Sequence, residues 1–206
     1  MISKWLFVSV TLAVTVWPAN AEITPMTRER MPEAEQIGSK AIKDNSIVYI
    51  TTCRTKAKYG IHTFDVRVMS PFASVASAVF ESRKKAPLDL SQWPIEEPDK
   101  QSVVVSVDPA ALFPDGLPPA PPSSVVRVFL RRGDEVIAAR RSDSHAVIFP
   151  DFDEQHRKYE GGAFYFPVDA FSSGRGELEI VVVPKSEQEG AEAVLTLSKS
   201  LLARLR

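Results

Sequence analysis

From Ser124 to Pro184 the chain is a succession of short β-branched and aromatic runs parted by glycine turns. No other stretch narrows the fold as much. "SVVRVFLR" (124–131) and "EVIAAR" (135–140) flank Gly133-Asp134, "HAVIF" (145–149) follows a short polar turn, and "GAFYFPV" (162–168) and "GELEIVVVP" (176–184) are separated by "SSGRG". Such runs fit a pleated, half-buried surface, and a glycine–acid pair between two of them is hairpin chemistry. Strands of this length at this spacing predict an antiparallel β-sandwich.

The upstream half adds three strands and a helix to this mainly β fold. "SIVYITTC" (46–53) and "SVVVSV" (102–107) are strand-like, and "IHTFDVRVM" (61–69) alternates Phe64, Val66 and Val68 with Asp65 and Arg67. Ser70-Pro71 reads as an N-cap with proline at the first helical position. Phe72, Val75, Ala76, Val79 and Phe80 then form one apolar stripe, so the sequence predicts one inserted amphipathic helix over 71–86, packed on a sheet face. Arg83, Lys84 and Lys85 stand where the helix dipole favours cations.

Six prolines between 108 and 124 exclude regular structure there and predict an extended crossover between two sheets of one domain. The tail "AEAVLTLSKSLLARLR" supports two patterns. Ala193, Leu195 and Leu197 alternate as in a strand, while Val194, Leu197, Leu201, Leu202 and Leu205 make a helical stripe. Its composition favours a C-terminal helix over at least the later part.

Residues 1–21 read as a cleaved export signal. Lys4 precedes an apolar run from Trp5 to Trp17, Pro18 breaks it, and Ala19-Asn20-Ala21 supplies small side chains at the cleavage site. The expected location is secreted or periplasmic, with cleavage after Ala21 and no transmembrane anchor thereafter. Residues 22–45 read as a polar N-terminal arm, either extended or a weak helix around Glu33 to Lys43, and 46–206 as a single domain. Of 25 basic residues only Lys4 is lost with the signal, leaving 24 against 26 acidic ones, net −2. That balance argues against nucleic-acid binding. Cys53 stands alone, which excludes an intramolecular disulfide and a Cys-rich zinc site and suits a buried, inert thiol.

Few motifs carry chemistry. Asp151, Asp153, Glu154 and His156 are candidate metal ligands on a loop, although their spacing completes no calcium-loop pattern, and a solvated loop explains them equally. Asp143-Ser144-His145 cannot act as a triad, because neighbours on a strand point to opposite faces. Arg127, Arg131, Arg132, Arg140 and Arg141 are expected to gather on one hairpin, as a basic edge for an anionic surface polymer or protein, or as edge protection. Arg132-Gly133-Asp134 spells a cell-adhesion tripeptide at the hairpin corner, where turn chemistry also accounts for it. No motif implies a cofactor.

The leading expectation is therefore a non-catalytic secreted or periplasmic module that binds a protein or an envelope polymer. The alternatives are an extracytoplasmic hydrolase or metal-dependent enzyme using the 143–156 carboxylates and histidines, and a structural subunit of an envelope assembly.

Overall fold

A computed structural model describes residues 23–40, 48–57, 60–82, 86–110, 123–150, 156–172, 177–186, 189–198, 202 and 205. The signal-like segment 1–21, the cationic residues 83–85, most of the proline-rich connection (111–122) and the loop 151–155 lie outside them.

Among the described residues, nine strands form two antiparallel sheets, accompanied by two helices. The strands are β1 (Val48–Ala57), β2 (Gly60–Met69), β3 (Ser102–Ala110), β4 (Val125–Arg132), β5 (Glu135–Ala138), β6 (Arg141–Pro150), β7 (His156–Pro167), β8 (Leu178–Pro184) and β9 (Ala193–Leu197). The helices are α1 (Met31–Ser39), before β1, and α2 (Pro71–Ser82), between β2 and β3. One sheet has the order β1-β2-β3-β7-β6 and the other β5-β4-β8-β9. No described helix is long and apolar enough to cross a membrane.

Period-2 alternation builds a sandwich-like core between the sheets. Phe64, Val66 and Val68 of β2, Val103, Val105 and Val107 of β3, and Phe166 of β7 meet Val128 and Leu130 of β4 and Leu178, Ile180 and Val182 of β8. Each large apolar side chain buried this way contributes about 1.5–3 kcal/mol of transfer free energy. Phe166 and Phe171 close one end edge-to-face, with ring centroids 6.4 Å apart. Because β3 belongs to one sheet and β4 to the other, the chain changes sheets across the proline-rich segment.

α2 departs from its expected packing. Ser70 Oγ accepts a hydrogen bond from the Ala73 amide at 3.2 Å, as an N-cap should. The stripe, however, does not lie chiefly on a sheet. Phe72, Val75 and Ala76 form a separate cluster with Met26, Met31 and Ala34 of the N-terminal segment and with Ile95. Small residues make this helix pair possible: a Cβ at Gly38 would lie 2.4 Å from the Ala76 carbonyl oxygen. What reads as a polar arm is therefore a docked helix whose apolar face is narrow.

The first part of the tail takes the strand alternative. Residues 193–197 are β9, paired with β8 from Leu178↔Leu197 to Val182↔Ala193. Ala193 and Leu197 face the core, and β-branched Val194 and Thr196 face out. Burial of one face of an edge strand against β8 outweighs the helix propensity of the surrounding composition. Most of the expected C-terminal helix falls outside the described residues; Leu202 is helical, and its amide donates to the Ser198 carbonyl at 3.0 Å.

Candidate functional site

Since Phe64, Val66 and Val68 point into the sandwich, Thr63, Asp65, Arg67 and Met69 line the opposite face of β2. Strand register extends that face across the sheet. Asp65 lies opposite Asp108 of β3, and Gly161 of β7 lies opposite His145 of β6. With Val107 opposite Gly162, Asp65, Asp108, Gly161 and His145 form one row across four strands. One row along run Arg67, Ser106, Ala163 and Asp143; the next is Met69, Val104, Tyr165 and Arg141. The outer face thus has a floor of small residues (Ser106, Gly161, Ala163) ringed by charged and aromatic side chains.

His145 Nε2 and Asp108 Oδ1 are 2.6 Å apart although β7 runs between their strands. Gly161 is what lets them meet. A Cβ there would stand 2.9 Å from Asp108 Oδ1, 3.1 Å from His145 Nε2 and 2.8 Å from the Val107 carbonyl oxygen. Beside this pair, Arg141 grips Asp143 with two parallel contacts, Nε–Oδ1 at 3.0 Å and a second nitrogen to Oδ2 at 2.9 Å. It also pairs with Asp99 and lies 5.4 Å from the Tyr165 ring centroid. These carboxylate hydrogen bonds push the Arg141 pKa further up. The Tyr165 phenol is also pushed up, first by burial and then by its hydrogen bond to Asp143. Tyr159 stands on the same face of β7, six residues before Tyr165 and about 20 Å from it along a strand. The charged groups described around this face are of both signs, the carboxylates Asp65, Asp99, Asp108 and Asp143 and the guanidinium groups of Arg67 and Arg141, with the His145 imidazole among them.

The expected triad neighbours separate as their alternation requires: Asp143 and His145 share the outer face, and Ser144 projects from the other. Of the metal candidates, Asp151, Asp153 and Glu154 lie outside the described residues, and His156 is placed on β7 opposite Pro150. No group of three or more metal-ligating side chains occurs among the described residues.

The arginines are not gathered on one hairpin. β5 stops at Ala138, so Arg141 belongs to the other sheet. Arg131 binds Glu179 at 2.7 Å and Glu192 at 2.9 Å, and Arg127 stacks 5.0 Å over Phe129. Arg140 is exposed on the link between the sheets. Arg132 is buried and donates to the Ala170 carbonyl at 2.8 Å and the Ser172 carbonyl at 3.2 Å. The hairpin corner is real, with Gly133 at φ 56°. The adhesion tripeptide is not displayed as a unit, because its arginine is held inside.

Asp65 and Arg67 read in the sequence only as the solvent side of a half-buried strand, and Asp108 as part of the proline-rich link. The usable signal was "YEGGAFY", where Tyr159, Gly161, Ala163 and Tyr165 alternate as large–small–small–large on one face.

Neither a protein-family model, nor a curated protein, nor a solved structure matches this chain.

Proposed function

We propose that the chain is an exported, non-catalytic binding module, and that its ligand is a polar, polyhydroxylated polymer of the cell envelope laid across the open face of the five-stranded sheet. The observation that carries this reading is the floor of Ser106, Gly161 and Ala163 edged by Asp65, Arg67, Asp108, Asp143 and His145. A flat floor without protruding side chains admits an extended chain. The rim offers donors and acceptors of both kinds, which suits hydroxyl groups rather than a strongly charged ligand. Tyrosines at both ends supply an apolar face with a polar tip. The export signal read in residues 1–21 supports an envelope ligand.

Co-sedimentation with isolated peptidoglycan and with a neutral insoluble glucan tests this. The protein should pellet with at least one polymer, and Asp108→Ala/His145→Ala should pellet less, while Val194→Ser on the other sheet should match wild type. Equal pelleting of all three proteins, or none with either polymer, would overturn the proposal.

A second reading rests on the His145–Asp108 contact, because an imidazole held by a carboxylate has general-base geometry. Ser144 projects away from it, so the nucleophile would be water. Release of new reducing ends from the bound polymer, abolished by His145→Ala, would favour this hydrolase over a passive binder.

A further inference from the structure

We infer that a second copy of this chain pairs with β6 edge to edge, joining the two five-stranded sheets across a two-fold axis. β6 is hydrogen-bonded to β7 on one side and meets no strand on the other among the described residues. The other sheet edges are better protected. β5 has four residues and β9 five, and the sequence of β1 includes Arg54 and Lys56. β6 runs for ten residues with no lysine; its one arginine, Arg141, is its first residue and its one proline is its last. A long, regular edge guarded chiefly at its ends is a template for another strand.

The side of the molecule that carries β6 is also its apolar side. Ser142, Ser144, Ala146 and Ile148 point the same way as Phe164, toward the layer between the sheets, yet all four are exposed because β5 does not reach over them. Among the described residues, three of the four exposed large apolar side chains, Val126, Val136 and Ile148, lie on β4, β5 and β6. A cavity of about 250 Å³ opens there, with Val126, Phe129, Val136, Ala138 and Phe164 in its wall.

The sequence of β6 fits its own reverse. In an antiparallel pair around a perpendicular two-fold axis, directly opposed residues share a face, so the two positions must sum to an even number. With Ser144 on the axis, Asp143 of each copy faces His145 of the other, and Ser142 faces Ala146. Sliding the register by one allowed step sets Asp143 against Asp143 or His145 against His145. His145 uses Nε2 toward its own Asp108, which leaves Nδ1 for the opposing Asp143. The Ser142-centred register pairs Arg141 with Asp143 but opposes only residues 141–143 of β6, whereas the Ser144-centred register opposes residues 141–147 and sets each Asp143 carboxylate against an imidazole without a like pair; such an interface is isologous. It also makes the two open faces continuous.

Sedimentation velocity of the purified protein from micromolar to several hundred micromolar should show a monomer–dimer equilibrium. Asp143→Lys should weaken it about tenfold, because two symmetric cross-strand pairs are lost. Asp143→His/His145→Asp should retain it. In a Cys53→Ala background, Ser144→Cys should be captured as a dimer by a short thiol cross-linker, while Val194→Cys on the β9 edge should not. A monomer at every concentration, or capture at position 194 and not at 144, would overturn the inference. Polymer binding by a chain that stays monomeric would sink the dimer and leave the ligand reading standing.

Discussion

Gly161→Ala is the most informative single change, because the methyl group has nowhere to go. Its Cβ would sit 2.8 Å from the Val107 carbonyl oxygen, 2.9 Å from Asp108 Oδ1 and 3.1 Å from His145 Nε2. The last two atoms end short side chains that can swing outward. The first is backbone in the middle of β3 and cannot move without disturbing its ladder to β2. Overpacking of this kind costs about 1–3 kcal/mol, and replacing glycine within a strand returns about 0.5–1 kcal/mol. The His145–Asp108 pair is 47% and 31% exposed, so its loss adds no more than about 1 kcal/mol. The net expectation is a destabilisation of about 1–2 kcal/mol, read by urea denaturation with an unchanged m-value. Asp108→Ala/Gly161→Ala should recover only part of it, because the backbone contact remains. In the single variant the His145 imidazole signals should also shift toward those of a solvated histidine. If Gly161→Ala is as stable as wild type and leaves those signals in place, the glycine does not hold the pair together and the site loses its geometric basis.

Two further outcomes follow from buried groups. Arg132→Ala removes charge-assisted hydrogen bonds to the Ala170 and Ser172 carbonyls and should cost about 2–4 kcal/mol in chemical denaturation; a loss below about 0.5 kcal/mol, the range of ordinary surface changes, would refute the anchoring role. Burial lowers the His62 pKa below its usual 6.5, so the unfolded chain takes up the proton first. Stability from this group is complete above pH 6.5 and falls as the pH drops through the folded-state value; His62→Gln should flatten that part of the pH–stability curve relative to wild type, and parallel curves would rule it out.

Where one side of a strand is apolar and the other polar, the sequence displayed it: β2, β3, β4, β7 and β8 all place their alternating Val, Ile, Leu and Phe in the core. β6 is the instructive failure. Only "HAVIF" was visible as strand, and Arg141-Ser142-Asp143-Ser144 read as polar turn, yet β6 begins at Arg141. Its outer face is polar because it belongs to the charged rim. Its inner face is Ser, Ser, Ala and Ile because no strand of the other sheet covers it. A strand solvated on both faces has no period-2 hydrophobic signal to read. The α2 helix was legible but its packing partner was not, since Met31, Ala34 and Gly38 form a narrow stripe whose partner is another helix.

The candidate site was illegible for a reason that also makes it a site. Asp65, Asp108, Gly161 and His145 are scattered over 97 positions, and only strand register puts them in one row. Each residue alone is ordinary: an exposed carboxylate, a carboxylate beside a proline, a glycine, a histidine in a polar run. Together they require something costly. Glycine in a strand interior gives up stability and side-chain packing, and a small-residue floor gives up the apolar cover that a sheet face ordinarily gains. The helices cover only the Met69 end of that face, where Ala73 of α2 packs against Met69, and otherwise cluster with Ile95. The long polar face, on the sheet whose β6 edge meets no strand among the described residues, is the surface that the proposed ligand and the proposed second copy would use.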